Sequence, residues 1–212
     1  MDFPILRNNM GYNKNMKDVT PKDTRYIPFT QQSYCCVPTS ISIVMYKLGI
    51  PLIPQELLGY HLGLVVGKKD KNLFWNPVTG EKPGTGYGTR ISKKQYNANL
   101  IFKKLKIPIK VTDYPIEDFK SKKDLVSFIS SCVKQNKNLI AFLRSGILNN
   151  NKKMNGHACV IDRIYPAKDT IRLIDPSATR AKWREFKIDK FIKAVKLHPT
   201  GKGRLLELRK IR

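Results

Sequence analysis

The feature that most constrains this chain is a cysteine-proline step that opens an amphipathic run. The stretch Gln31-Gln32-Ser33-Tyr34-Cys35-Cys36-Val37-Pro38-Thr39-Ser40 leads straight into apolar residues at Ile41, Val44, Met45 and Leu48. That i, i+3, i+4, i+7 spacing predicts a helix over residues 37–48, closed by Gly49 and Pro51. Cys36 then stands at a helix N-terminus. Pro38 falls in the first turn, where its missing N–H costs nothing, and the free amides and macrodipole there favour an anion. A thiol so placed should ionise more readily than a free one.

Residues 157–164 (HACVIDRI) and 170–174 (TIRLI) alternate or run apolar as strands do, and Pro166 with Lys168-Asp169 marks a turn between them. They predict a hairpin, and pairing the start of one strand with the end of the next brings His157 near Asp175. Gly156 ahead of the histidine points to a close backbone approach. A cysteine, an imidazole and a carboxylate in this order fit the parts of nucleophile, base and orienting acid.

A glutamine, then Cys-x-Pro-x-Ser opening an apolar helix, then Gly156-His157 opening a strand, then Asp175-Pro176 closing the next, resembles the papain-like cysteine peptidases. Within that superfamily the chain is similar to the peptidase domains that cleave double-glycine leader peptides from bacteriocins. The resemblance runs from about Ile27 to Ala194, through Gly88-Thr89 and the run from Asp175-Pro176 to Phe186 and Phe191. It implies an α+β fold with an N-terminal helical half carrying the nucleophile helix and a C-terminal antiparallel sheet. It also implies that Cys36 attacks an acyl carbon, His157 shuttles the proton, Asp175 orients His157 and an upstream glutamine donates to the oxyanion. The chain departs from the pattern twice. The family's glutamine lies six residues before the cysteine, where this chain has Thr30; Gln31 is taken as the donor, with Gln32 the other candidate. Val37 replaces the usual glycine after the nucleophile, and a shifted register would make Cys35 the nucleophile, but only Cys36 gives the Cys-x-Pro spacing.

The 212 residues suit one domain, and a 41% hydrophobic content is enough for a core. Residues 1–24 are polar and rich in Asn and Lys, and are expected to form an arm ahead of a single catalytic domain over residues 25–212. No apolar run has the length of a membrane helix, and the first residues lack the basic start and apolar middle of a signal peptide. Cysteines at 35, 36, 132 and 159 show no disulfide spacing, so a reducing, cytoplasmic setting is expected. Forty Lys and Arg against sixteen Asp and Glu give a net charge of +24, which attracts an acidic protein, an acidic polymer or nucleic acid.

Further helices are expected over residues 54–61, 92–106 and 121–135, the last with Ser121 and Asp124 as a capping pair, and further strands over 139–143 and 205–211. Residues 68–87 form a long Gly/Pro-punctuated loop. Its Phe74 and Trp75 suit either pinning to the core or holding substrate; Trp75, Tyr87 and Gly156 are the substrate-binding candidates. His61 and His198 lack motif context and are read as surface or packing residues. Paired Cys-x2-Cys or His-x3-His spacing is absent, so neither metal nor cofactor is expected. The expectation is a peptidase or isopeptidase acting on a peptide or protein through a Cys36 acyl-enzyme. Transfer of the acyl group to an amine uses the same three groups, and a non-catalytic module binding a polyanion is the contrasting class.

Overall fold

The computed structural model describes residues 26–177 and 181–211. The expected arm over residues 1–24 lies outside the described residues. The chain folds as α+β: helices α1 (Cys36–Lys47) and α2 (Gln55–His61), short strands β1 (Val65–Val66) and β2 (Gly84–Thr85), helix α3 (Ala98–Lys104), strand β3 (Ile109–Pro115) and helix α4 (Lys122–Lys134) come first. Then follow β4 (Asn138–Arg144), α5 (Ser145–Leu148), β5 (Gly156–Tyr165), β6 (Thr170–Asp175), β7 (Lys182–Lys187), α6 (Ile188–Lys196) and β8 (Arg204–Lys210).

Strands β3 to β8 form one sheet in the order β3-β8-β4-β5-β6-β7, with every neighbouring pair antiparallel. The central strand β4, NLIAFLR, is apolar nearly throughout because both its faces are covered. Its Ile140 packs with Ala158 and Val160 of β5 against the layer of α1 to α3, while Leu139, Ala141 and Leu143 pack with Cys159 and Ile161 against α4 and α6. Phe102 anchors the first layer and Phe191 the second, each fully buried and contributing about 2–3 kcal/mol of transfer free energy.

The expected boundaries of α1, α2 and α4 agree with the structure to within a residue. Ser121 caps α4 by accepting from the Asp124 N–H at 3.1 Å. The helix expected over residues 92–106 shrinks to α3, behind a short 3₁₀ turn at Lys94–Tyr96. The physical reason is Asn97, whose side-chain oxygen accepts from the Asn99 and Leu100 amides and starts the helix there. The chain does not divide into a helical half and a sheet half, since β3 precedes α4 and α6 lies between β7 and β8. Among the described residues, no helix is long and apolar enough to cross a membrane.

Candidate active site

Helix α1 has no side-chain cap, and Pro38 in its first turn has no N–H to offer. The amides of Cys36 and Val37 are therefore left pointing out of the helix N-terminus. The helix docks on β5, with the Ser40 hydroxyl donating to the Ala158 carbonyl at 3.2 Å, which sets Cys36 beside the start of that strand. Cys36 is partly exposed, whereas Cys35, Cys132 and Cys159 are buried. Cys35 faces away into an apolar cluster with Leu64, Val66 and Phe74.

His157 Nε2 lies 2.7 Å from Asp175 Oδ1. The two are not directly opposite. Val160 pairs with Ile174, so continuing that register puts Asp175 across from Cys159, and His157 reaches it along the ladder diagonal. Occupation of Nε2 by the carboxylate leaves Nδ1 to serve the sulfur. Arg184 approaches the same carboxylate from the other neighbouring strand, with Nη1 2.7 Å from Asp175 Oδ2 and Nη2 2.7 Å from Asn149 Oδ1.

Burial pushes the Cys36 thiol up, but the hydrogen bond and charge of His157, aided by the Ala158 and Val37 amides, hold it below the ordinary thiol value. Burial alone would lower the His157 imidazole; Cys159, Asp175 and Cys36 raise it well above the usual histidine range. Burial keeps Cys159 itself protonated, so the charge that matters to the ring at neutral pH is that of Asp175. Desolvation would raise Asp175, yet His157 and Arg184 hold it below the usual carboxylate range. Opposite shifts on sulfur and imidazole favour a thiolate-imidazolium pair.

Cys36, His157, Asp175 and Arg184 line a cleft of about 990 Å³. Gln31 also lines it; its Oε1 is buried without a hydrogen-bond partner, and its backbone N–H donates to Pro176 at 3.2 Å. Gln32 is exposed, with its backbone N–H donating to Gln55. Tyr87 and Gly156 lie on the cleft wall. Trp75 does not: it is 58% exposed and outside the cleft, while its neighbour Phe74 is buried and pins the loop to the core.

Four residues at or beside the site had no motif to announce them. Tyr34 lines the cleft with a left-handed backbone (φ 68) that turns the chain into α1, and its hydroxyl donates to Asp70. Arg184 is a basic residue in a half-exposed strand, Cys159 a small buried residue on β5, and His198 part of a turn. Strand alternation already puts Cys159 on the face of His157, whereas what the other three meet is shown only by the fold.

The ligand atoms of His157, Cys159 and Asp175 lie within 4.8 Å of one another, close enough to hold one metal ion between them. Here both carboxylate oxygens are already engaged, one by the Arg184 guanidinium, and the Cys159 thiol is kept protonated by burial. A cation would have to displace another cation and a proton, so the donor set fits an orienting role better than coordination. No protein-family model matches the chain, and no curated protein is significantly similar to it.

Proposed function

We propose that this chain is a papain-like, thiol-dependent acyl-transfer enzyme, a peptidase or isopeptidase that cleaves an amide through a Cys36 thioester. The observation that carries this reading is His157 held at 2.7 Å by Asp175 while acting on a partly exposed cysteine at an uncapped helix N-terminus. A structural cysteine needs none of these three conditions.

In the proposed cycle the Cys36 thiolate attacks the carbonyl carbon, and the oxyanion is met by the Cys36 N–H and the Gln31 side-chain amide. Collapse breaks the C–N bond, and the His157 imidazolium gives its proton to the departing amine. Neutral His157 then takes a proton from water, the hydroxide adds to the thioester, and Cys36 leaves as thiolate with the carboxylic acid released. An amine taking the place of water would give transfer instead. Asp175 stays ionised throughout and fixes the ring. Four free cysteines accord with a reducing compartment.

The test is labelling by a thiol-directed acyl probe. The wild type should be labelled at Cys36 and Cys36→Ala should not. His157→Ala should react about 100-fold more slowly, since only the Ala158 and Val37 amides then oppose burial at the sulfur. Equal labelling of wild type and His157→Ala, with tight and salt-sensitive binding of a polyanion, would make the protein a binding module instead.

A further inference from the structure

The cleft wall beyond Gly156 is built by the turn after α6 and the start of β8, and its chemistry selects for a negative group. His198 Nδ1 lies 2.9 Å from the Thr200 hydroxyl and 3.4 Å from the Thr200 backbone nitrogen. A backbone N–H only donates, so Nδ1 is the acceptor and the ring proton sits on Nε2. Burial, and then the charge of Arg204, hold His198 below the usual histidine range, which keeps the ring neutral. Nε2 faces Gly156 closely: a Cβ built on that glycine would lie 2.9 Å from it. Glycine is thus what lets a fixed N–H donor approach the residue next to His157.

Two ammonium groups complete this wall. Lys202, in the same turn, and Lys153, in the loop before β5, both line the cleft, are exposed and make no ion pair among the described residues. Arg204 beside them is committed, with Nη1 2.6 Å from Asp113 Oδ2. Among the described residues the one carboxylate on the cleft wall, Asp175, is taken by His157 and Arg184. A neutral N–H donor and these two unpaired cations, to which the exposed Lys182 of β7 adds a third in the same cleft, with no free acid among the described residues, suit a carboxylate and repel a basic side chain.

We infer that His198, Lys202 and Lys153 form a carboxylate subsite, so that the substrate carries an acidic side chain or a free chain terminus close to the bond that reacts at Cys36. This rests on the proposed acyl-transfer site for its place in catalysis, but the subsite itself can be read by binding alone. A peptide's carboxylate would take the His198 Nε2–H and lie in the field of the two lysines, leaving its main chain to run past Gly156 toward Cys36. The chain's overall basicity is a separate effect, because it would attract an acidic peptide wherever the lysines lay.

The experiment uses the full-length Cys36→Ala protein and pooled, dye-labelled hexapeptides, with glutamate or glutamine fixed at one position and the other positions random. Two further pools carry glutamine with a free or an amidated C-terminus, which separates a side-chain carboxylate from a terminal one. Binding is read by fluorescence anisotropy at low and moderate salt. At least one carboxylate pool should bind about 10-fold more tightly than its amide counterpart. The double variant Lys153→Met/Lys202→Met should lose most of that preference, and His198→Leu should lose part of it. Lys103→Met/Lys134→Met, with the same charge change on α3 and α4 away from the cleft, should keep it. Equal binding of carboxylate and amide pools, or equal loss in both double variants, would overturn the subsite. Failure of acyl-probe labelling in the Cys36-containing protein would instead sink the catalytic reading, and these binding results would stand apart from it.

Discussion

Arg184 Nη1 lies 2.7 Å from Asp175 Oδ2, so the carboxylate that orients His157 is itself held by a guanidinium from the opposite strand. Both partners reach the middle strand along ladder diagonals: Arg184 pairs with Leu173, two residues from Asp175. Arg184 is therefore a positioning residue. Arg184→Met is expected to slow acyl-probe labelling about 10-fold, less than the 10²–10⁴-fold that a general base contributes. Arg184→Lys should fall between, because an ammonium lacks the planar fork that spans Asp175 and Asn149. Arg184 lowers the Asp175 carboxyl, so its loss should move the acid limb of the labelling profile upward in pH. A purely structural role would leave that limb in place.

Cys36 is expected to be the thiol alkylated first at about pH 6, where a free cysteine is almost wholly protonated. Its value is lowered in the folded protein, so the thiolate persists to lower pH than in the unfolded chain. Burial pushes Cys132 up to about 11 and raises Cys35 and Cys159 as well, so these three should remain unmodified in native protein. Peptide mapping after a short exposure to a small alkylating agent checks this. First modification at Cys35 would move the proposed nucleophile.

Asp175→Asn should cost stability as well as activity. It leaves the part-buried Arg184 guanidinium without its carboxylate, a loss of about 3 kcal/mol for a broken buried pair. The linkage has a definite sign. Asp175 is depressed in the folded state, so its contribution is present above the unfolded carboxylate value and is lost as pH falls through the folded one. Denaturant unfolding of wild type and Asp175→Asn between about pH 7 and pH 2 should give stabilities that converge toward the acid end. A constant gap across that range would contradict the assignment.

Phe74→Ala and Trp75→Ala should separate the two neighbours in the long loop. Removing buried Phe74 from the cluster with Leu64, Val66 and Cys35 should cost about 3 kcal/mol and loosen the loop over Tyr34. Trp75 is 58% exposed and off the cleft, so Trp75→Ala should change stability by no more than about 0.5 kcal/mol and leave labelling unchanged. Thermal unfolding and probe kinetics on the two variants decide it.

Much of the site was legible because its members sit at element starts and ends, where local chemistry leaves a trace. The apolar stripe from Ile41 to Leu48 placed Cys36 at a helix N-terminus, and the hairpin pattern brought His157 to Asp175. Arg184 left no such trace. Strand β7 follows β6 directly but reads KWREFK, a charged and half-exposed edge with no apolar run to announce a strand, so the residues alone did not show which β6 residue each would meet. His198 was obscured for a related reason: its fixed tautomer depends on Thr200, but its place in the cleft depends on Gly156, far away in sequence. Strand β3 was missed because its partner among the described residues is β8, the last strand and far away in sequence.

The contact that seats α1 on β5 joins Ser40 to Ala158, 118 residues further along the chain. A ribosome must therefore deliver most of the protein before the His157 imidazole can be set beside the Cys36 sulfur. Until then the cysteine is an ordinary thiol, and contacts of such separation form late because the loop must close first. If Cys36 is the nucleophile proposed above, this topology would act as a safeguard during synthesis: a truncated or stalled chain would carry that cysteine but no means of arming it.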